Sequence, residues 1–343
     1  MLYINNFNSK FLDLIILLIS GFILYFLIKY ASRDVSSYFE IFHLIAIHNN
    51  NFMDFYYNSP DQRFEIGSLF IMWSLLQVFS YTNTFFLFGY ISLVLKYFLF
   101  KKYLPYPRLT FVLYVCIFSY IYEANQIRQS LALVFLFYIV LVPNKFFIKT
   151  FVYIIIAFLF HYIAFYFLAI YSYLLSKDYF KGSRDYLFSV IICGIILIII
   201  KLIIESKGYG ILILYHTPRP ANIFSIPFIL QSIIVISIFL SPNKINFVQK
   251  KSLFFIIISL IIFIIFNENS LIANRFRELG FVLTVPLLFS GFKYYTIHIY
   301  IAFVAFSIIA IFYIYNIIEM IIHKPFSLEL IEFNRKYGIS EYF

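Results

Sequence analysis

An arginine stands among amide side chains at the start of one apolar stretch of the chain. The segment reads Asn125-Gln126-Ile127-Arg128-Gln129-Ser130-Leu131-Ala132. On a helix, Asn125, Arg128 and Gln129 share one face because they are three or four residues apart. An arginine at the bilayer centre costs about 2.5–3.5 kcal/mol on insertion scales. Arg128 therefore indicates a wet cavity or an anionic ligand, and the alternative is a side chain that snorkels from a helix end.

Two carboxylates and a tyrosine form a second candidate group. Asp34 follows Arg33 and lies four residues before Tyr38, so they share a face if a helix begins there. Glu65 stands directly before an apolar run. A carboxylate of this kind can accept the proton of a reacting hydroxyl. The alternatives are structural, since Asp34 can cap a helix and Glu65 can favour a helix N-terminus.

His161 lies between two apolar runs and is a third candidate for acid–base chemistry. Histidine is the usual proton carrier near neutral pH. The alternative is a lone histidine whose hydrogen bonds are satisfied by a backbone or tyrosine partner. No metal site is expected, because the remaining histidines lack the spacing of metal ligands. These are His43, His48, His298 and His323.

Three further arginines have types and positions suited to anion binding. Arg219 lies between two prolines, and Arg275 and Arg277 come just before an apolar run. Arginine offers a planar fork that matches phosphate oxygens, whereas lysine is a point charge. We therefore expect an anionic ligand such as a diphosphate. A simple ion pair with Glu278, three residues after Arg275, is the alternative for that arginine.

The elements that position these residues must be membrane helices. Of the 343 residues, 63% are hydrophobic, 23% aromatic and only 12% charged. A soluble globular domain carries roughly 25% charged residues, so a soluble enzyme or a secreted disulfide scaffold is excluded. The net charge of +10 lies in short clusters between apolar stretches, which argues against a nucleic-acid partner. Runs such as residues 191–200 lack the alternation of a membrane barrel, so the predicted class is all-α.

Apolar runs predict a polytopic transmembrane helical bundle of about 10–12 spans, forming a single integral membrane domain over residues 1–343. A span needs about 20 mostly apolar residues. The candidates are residues 11–29, 66–80, 83–100, 109–124, 127–142, 150–162, 163–175, 186–204, 223–240, 252–267, 279–292 and 295–322.

Lysine clusters recur at every second connection, which predicts that these connections lie in the cytoplasm. The connections between them, including residues 205–222, then face outward and carry the arginines. Lys10 on the inside likewise makes residues 31–64 an outward-facing loop. Two spans within residues 66–100 would place Lys101 and Lys102 outside. We therefore expect that segment to cross once and to contain a broken piece near its polar residues 80–84.

The motifs resemble those of the Wzy-type polysaccharide polymerases, in the branch that includes the EpsG-like exopolysaccharide proteins. The Asn-x-x-Arg-Gln stretch is the most specific of them. In chain order they are Arg33-Asp34-x-x-x-Tyr38, Glu65-Ile66-Gly67, Asn125 to Ala132, Phe160-His161-Tyr162-Ile163-Ala164, and Asn274-Arg275 with Arg277.

The resemblance implies a fold like that of the C-type lipid-dependent glycosyltransferases. It implies an enzyme of the bacterial inner (plasma) membrane whose active site faces the periplasm or exterior. The implied reaction transfers a glycan from undecaprenyl diphosphate onto another lipid-linked repeat unit. Its partners are the lipid-linked donor and acceptor, the lipid bilayer and, as a further candidate, a chain-length regulator. No cofactor or nucleotide sugar is expected.

The same resemblance suggests a role for each candidate residue. A lipid diphosphate is a good leaving group whose developing charge a cation stabilises. Arg128 is expected to do this, assisted by Arg275, Arg277 or Arg219. Asp34, Glu65 and His161 are alternative bases for the acceptor hydroxyl. The expected substrate-binding residues are Arg33, Tyr38, Asn125, Gln129, Arg219, Arg275 and Arg277.

Two other functions use similar residues. A lipid-linked glycan flippase or transporter also needs arginines in a central cavity, but it predicts paired halves or broken helices in matching positions, and the chain has no internal symmetry. An O-antigen ligase or a membrane acyltransferase is the second alternative. A ligase shares the lipid-diphosphate donor, so residue types alone do not separate it from a polymerase.

Overall fold

The computed structural model describes most of the chain as helices joined by short turns. The described residues are 2–32, 35–47, 51–58, 65–142, 147–161, 191, 194–195, 198, 220–242, 245–291 and 296–323. They contain no β-strand, which confirms the all-α class. The first eight helices are α1 (Leu2–Ala31), α2 (Val35–Ile47), α3 (Phe52–Asn58), α4 (Ile66–Leu76), α5 (Tyr81–Tyr103), α6 (Pro107–Phe118), α7 (Ile127–Leu141) and α8 (Phe147–Phe160). The later helices are α9 (Ile226–Leu240), α10 (Phe247–Ile265), α11 (Ser270–Val282), α12 (Thr284–Phe289) and α13 (Ile297–His323).

Four of these helices are long and apolar enough to cross a membrane, which confirms a polytopic helical protein. They are Ser9–Tyr30, Tyr81–Tyr103, Phe247–Ile265 and Ile297–Glu319. This count covers the described residues, which also contain six shorter apolar helices of 10–17 residues. The predicted span at 279–292 is divided at Leu283 between α11 and α12. The predicted span at 163–175 lies outside the described residues.

The chain divides into two compact units, and the first holds α1 to α6, most of α7, and α8. It comprises Met1–Ile139, Ile148–Phe167 and Tyr313–Phe343. Helix α5 packs against α1, α2, α4 and α6. Large aromatic side chains fill the space around α5. Their large apolar area makes the main contribution to the buried surface there. Fully buried examples are Phe85, Phe88, Phe100, Phe111, Tyr114 and Phe137.

One buried carboxylate ties the first span to its neighbours. Asp13 in α1 accepts hydrogen bonds from Lys101 Nζ at 2.5 Å and from Arg108 Nε at 2.7 Å. Arg108 also donates to the Ser9 hydroxyl at 2.6 Å. An aspartate within an apolar span is tolerated when it is paired in this way. The three residues therefore join α1 to the end of α5 and the start of α6.

Before Glu65 the structure differs from the prediction made from the sequence, and after Glu65 it agrees with it. Residues 31–64, expected to be a loop, contain α2 and α3, so this connection is largely helical. The expected break within residues 66–100 falls at residues 77–80, after the 11-residue helix α4. At 1.5 Å per residue α4 is about 16 Å long, roughly half of a bilayer core. Ser80 then caps α5 by accepting a hydrogen bond from the Asn83 backbone at 3.5 Å.

The second unit comprises Val140–Phe147 and Leu168–Phe312. Within it, α10 packs against α9, α11 and α12. Gly280 of α11 lies so close to α10 that an added Cβ would meet the Ser259 side chain. Helix α10 begins with a capping box formed by Asn246 and Gln249. Of the predicted loop at 205–222, only residues 220–222 are described.

Candidate functional site

Arg128, Glu65 and Tyr38 meet in the first unit. Arg128 Nη1 donates to Glu65 Oε2 at 2.6 Å, and Arg128 Nε donates to the Tyr38 hydroxyl at 3.4 Å. The Arg128 and Glu65 side chains retain 17% and 14% of their surface exposure. Tyr38 is buried. Arg128 and two members of the second candidate group therefore form one cluster, and its two charged members remain partly accessible.

Each member of this cluster lies at the N-terminal end of a helix. Arg128 is the second residue of α7, and Tyr38 lies in the first turn of α2. Glu65 is the N-cap of α4, with extended backbone angles. Its position agrees with the expectation that an acidic residue favours a helix N-terminus. Tyr38 is fixed by an edge-to-face contact with Phe85 of α5, at 5.1 Å between ring centroids.

Asn125 lies outside α7, which corrects the prediction that it shares a helix face with Arg128 and Gln129. It belongs to a turn over residues 119–125, and α7 begins at Ile127. The side chain of Asn125 donates to the Tyr120 carbonyl at 2.6 Å. Asparagine favours turns over helix interiors because it bonds to nearby backbone in this way. This bond ties the Asn125 side chain to the turn that leads into Arg128, and its predicted part in substrate binding stays a prediction.

The end of α1 is anchored to the same turn. Ser32 Oγ lies 2.5 Å from the Ala124 carbonyl and 3.2 Å from Asn125 Oδ1. Arg33 and Asp34 follow Ser32 in the chain, and both of these predicted site residues lie outside the described residues.

Gln129 is the most unusual polar side chain of α7. It is 1% exposed, and neither its amide nitrogen nor its amide oxygen has a hydrogen-bond partner among the described residues. Buried polar side chains are nearly always hydrogen-bonded, so such a group requires an explanation. This amide lies directly after Arg128 in α7, and its expected part in substrate binding stays a prediction.

His161 directly follows the last residue of α8, where the end of α8 touches the start of α4. His161 is 4% exposed. The Ser68 hydroxyl donates to the Phe160 carbonyl at 2.8 Å. A Cβ at Gly67 would lie 2.7 Å from the Leu159 carbonyl oxygen, so only glycine permits this approach. The backbone segments that carry Glu65 and His161 are therefore in direct contact.

In the second unit, Arg277 is a largely buried cation of α11. It is 8% exposed, and its guanidinium carbon lies 5.5 Å from the centre of the Phe263 ring. Its Nη1 donates to the Ser225 hydroxyl at 3.2 Å. Its Nε has no hydrogen-bond partner among the described residues. Arg277 therefore combines a cation–π contact with unused hydrogen-bonding capacity.

Arg275 and Glu278 lie on the same helix as Arg277. Burial raises the pKa of Glu278, and the positive charges of Arg277 and Arg275 lower it, with a net rise above the ordinary value of 4.5. Both arginines therefore act electrostatically on this carboxyl. Arg219, the remaining predicted arginine, lies outside the described residues.

The structure contains an ion pair between Lys96 and Glu123 that the sequence pattern does not predict. Lys96 Nζ lies 2.5 Å from Glu123 Oε1, and both side chains are fully buried. Lys96 also donates to Ser92 Oγ at 2.8 Å and to Ser130 Oγ at 2.9 Å. The available signal was a lysine inside a predicted span, because ionisable residues at membrane depth are rare and paired.

Glu123 draws two more helices into the same network. The Tyr114 hydroxyl of α6 donates to Glu123 Oε1 at 2.8 Å, and the Ser130 hydroxyl of α7 donates to it at 2.9 Å. The network thus connects α5, α6, α7 and the turn between α6 and α7. In the part of the chain that the structure describes, no group of three or more histidine, cysteine, aspartate or glutamate side chains is placed to hold a metal ion.

These features define a polytopic helical membrane protein with a partly exposed arginine–carboxylate pair and a second, largely buried arginine. The chain belongs to the EpsG family, whose family model matches residues 10–329. The matched range contains every candidate site residue, and it confirms the resemblance drawn from the motifs. The family is associated with glycosyltransferase-like polysaccharide polymerases. Comparison with curated proteins and with solved structures finds no match.

Proposed function

We propose that the protein is a lipid-diphosphate-dependent polysaccharide polymerase in which Arg128 binds the diphosphate of the donor lipid. The observation that carries this proposal is the cluster of Arg128, Glu65 and Tyr38, which holds a guanidinium in a fixed and partly accessible position. A guanidinium presents five donors in a planar fork, which suits the oxygens of a diphosphate.

The proposed reaction breaks the bond between the donor sugar and the diphosphate and forms a glycosidic bond to the acceptor hydroxyl. Negative charge develops on the leaving diphosphate as its bond to the sugar breaks. Arg128 stabilises that charge, and it costs little reorganisation because Glu65 and Tyr38 already orient it. No acid is needed to protonate the leaving group, since a diphosphate leaves as an anion.

The ion pair also favours Glu65 as the base among the three predicted candidates. In the free enzyme its carboxylate is bound to Arg128. A diphosphate that takes up the guanidinium weakens this pairing and frees Glu65 to accept the proton of the acceptor hydroxyl. Donor binding would then activate the base. The proton passes from Glu65 to solvent after the glycosidic bond has formed.

The partners follow from this chemistry. The donor is a glycan on undecaprenyl diphosphate, and the acceptor is another lipid-linked repeat unit. Arg275 and Arg277, in the second unit, are further candidate cations for binding lipid diphosphate. The reaction takes place at the outer face of a bacterial inner membrane, with a chain-length regulator as a further partner.

Complementation of a polymerase-deficient strain carrying the matching glycan cluster tests this proposal. The wild-type chain and Arg128→Ala are compared at equal membrane abundance, and the length ladder of the surface glycan is measured. We expect the wild type to restore the ladder and the variant to leave single repeat units. A variant without any surface repeat unit favours the flippase or ligase alternative. A normal ladder makes Arg128 a snorkelling anchor.

A further inference from the structure

The Lys96–Glu123 pair is more deeply buried than stability alone explains. Both side chains are 0% exposed. The three donors of the Lys96 ammonium are each matched by an acceptor, namely Ser92 Oγ, Glu123 Oε1 and Ser130 Oγ. A buried pair of this kind contributes little net stability, because apolar residues of similar volume are often as stable or more so. Its contacts instead fix the chain at one particular place.

The place that the pair fixes is the entry into α7. Ser130, which joins the network, comes two residues after Arg128, and Glu123 comes five residues before it. The Ser92 hydroxyl adds a further bond to the Ser130 carbonyl at 3.0 Å. The network therefore holds the chain to α5 on both sides of Arg128.

Two further contacts bring α5 and the end of α1 against the same turn. A Cβ at Gly89 would lie 2.6 Å from the Glu123 carbonyl oxygen, so glycine lets the α5 backbone approach the turn. Ser32 bonds to the Ala124 carbonyl and to Asn125. The buried pair is thus at the centre of the contacts that set the direction of α7.

We propose that Lys96 and Glu123 are a positioning pair that holds Arg128 in the orientation in which it meets Glu65 and the donor diphosphate. This role rests on the proposed function of Arg128. The pair itself has no exposed surface and does not touch substrate. It acts through Ser130 and the turn, and a misplacement of about 1 Å at a reacting group is enough to lower the rate about a hundredfold.

The test is the double variant Lys96→Met with Glu123→Gln, purified in detergent. Removing both charges together avoids an unpaired buried charge, so the variant is expected to fold. Hydrogen–deuterium exchange is measured on peptides covering residues 119–132. The kcat and KM are measured with lipid-linked repeat units extracted from a polymerase-deficient strain, and rates are expressed per folded protein.

A matched control neutralises a different acid–base pair of the first unit. Asp13→Asn with Lys101→Met also neutralises one acid and one base, but the contacts of this pair run to α1, α5 and α6. We expect this control to leave exchange over residues 119–132 unchanged and kcat at the wild-type value.

For the positioning pair, we expect faster exchange over residues 119–132 and a kcat lowered about tenfold or more, with KM changed less than about twofold. Wild-type exchange in those peptides, or a wild-type kcat, overturns the proposal. If the double variant is not recovered folded, Ser130→Ala decides, because it keeps both charges and removes the side-chain hydrogen bonds that link the pair to α7. If the proposed function itself is wrong, the result is different. Arg128→Ala then polymerises fully, whatever the hydrogen–deuterium exchange over residues 119–132 shows.

Discussion

Arg128 and Glu65 form an ion pair in which Nη1 and Oε2 are 2.6 Å apart, although 63 residues separate them in the chain. The pair joins the Asn-x-x-Arg-Gln motif to the Glu65-Ile66-Gly67 motif. It also leaves both side chains partly exposed, so a ligand can reach the guanidinium from solvent. Lys96 and Glu123, by contrast, are fully enclosed and leave no surface that a ligand can reach.

The shape of the arginine side chain is expected to matter as well as its charge. Arg128→Lys keeps a cation but loses the planar fork that binds two oxygens at once. We expect the polymerisation rate to fall about a hundredfold, the cost of losing one well-placed donor to a developing oxyanion. The rate of repeat-unit joining in membranes measures this. Lys102→Arg, the reverse exchange at an exposed residue, should have no effect, and a fully active Arg128→Lys would contradict the proposed bidentate contact.

Glu65→Gln tests whether the carboxylate does more than orient Arg128. The amide keeps the shape and one acceptor oxygen but cannot take up a proton. If Glu65 is the base, the rate falls about a hundredfold or more, within the usual range for general base catalysis. Initial rates at saturating lipid-linked substrate check this. His161→Asn is the comparison, and a larger loss from that variant than from Glu65→Gln would transfer the role of base to His161.

Gly67→Ala is expected to destabilise the contact between α4 and α8. The new methyl group would lie 2.7 Å from the Leu159 carbonyl oxygen, which is backbone and cannot move aside easily. Overpacking of this kind costs about 1–3 kcal/mol. Thermal unfolding in detergent should therefore show a lower midpoint. Gly194→Ala provides the control, because its new methyl group would meet Ile261 at 3.9 Å, an ordinary contact distance. Equal midpoints for the two variants would contradict the close approach of α4 and α8.

Single and double changes at the buried pair are expected to differ in stability. Lys96→Met alone leaves Glu123 charged and unpaired in a fully buried site. Breaking a buried pair in this way costs about 3–5 kcal/mol, whereas removing both charges is close to neutral. Thermal unfolding of Lys96→Met and of Lys96→Met with Glu123→Gln measures the difference. A double variant that is less stable than the single one would show that the charges do not interact as described.

The raised pKa of Glu278 makes part of the free energy of unfolding depend on pH. Burial raises this pKa above its ordinary value of 4.5, despite the nearby Arg277 and Arg275. A raised carboxyl pKa means that the folded state favours the protonated form, so this contribution is complete below pH 4.5 and is lost as the pH rises through the folded value. Glu278→Gln should therefore stabilise the protein at pH 8 and have no effect near pH 4. Unfolding midpoints at the two pH values check this, and a pH-independent effect would contradict it.

The residue types of the site were predictable because their cost in a membrane is high. Arg128 is conspicuous at the start of an apolar run, and Glu65 and Tyr38 stand near similar boundaries. Polar residues also signalled the break at residues 77–80, because capping depends on neighbours three residues away. Short stretches of sequence are enough to predict local features of this kind.

The features of the site that the sequence did not predict depend on contacts between distant parts of the chain. Spacing alone predicts that Asn125 shares the helix of Arg128, because nothing near it in the sequence shows that its partners are Tyr120 and Ser32. Lys96 lies within the predicted span at 83–100, and its pairing with Glu123, 27 residues away, appears only when α5 and the turn before α7 are packed together. Pattern reasoning cannot supply such pairings, because it registers periodicity and not the partner across the interface.

The most direct test of the account is polymerisation by the purified protein. Lipid-linked repeat units from a polymerase-deficient strain are incubated with the protein in detergent, without nucleotide sugar, and both glycan length and released undecaprenyl diphosphate are measured. The account predicts products of two, three and more repeat units, one lipid diphosphate released for each linkage, and neither with Arg128→Ala. Repeat units that remain single, with no lipid diphosphate released by a folded wild-type protein, would contradict it.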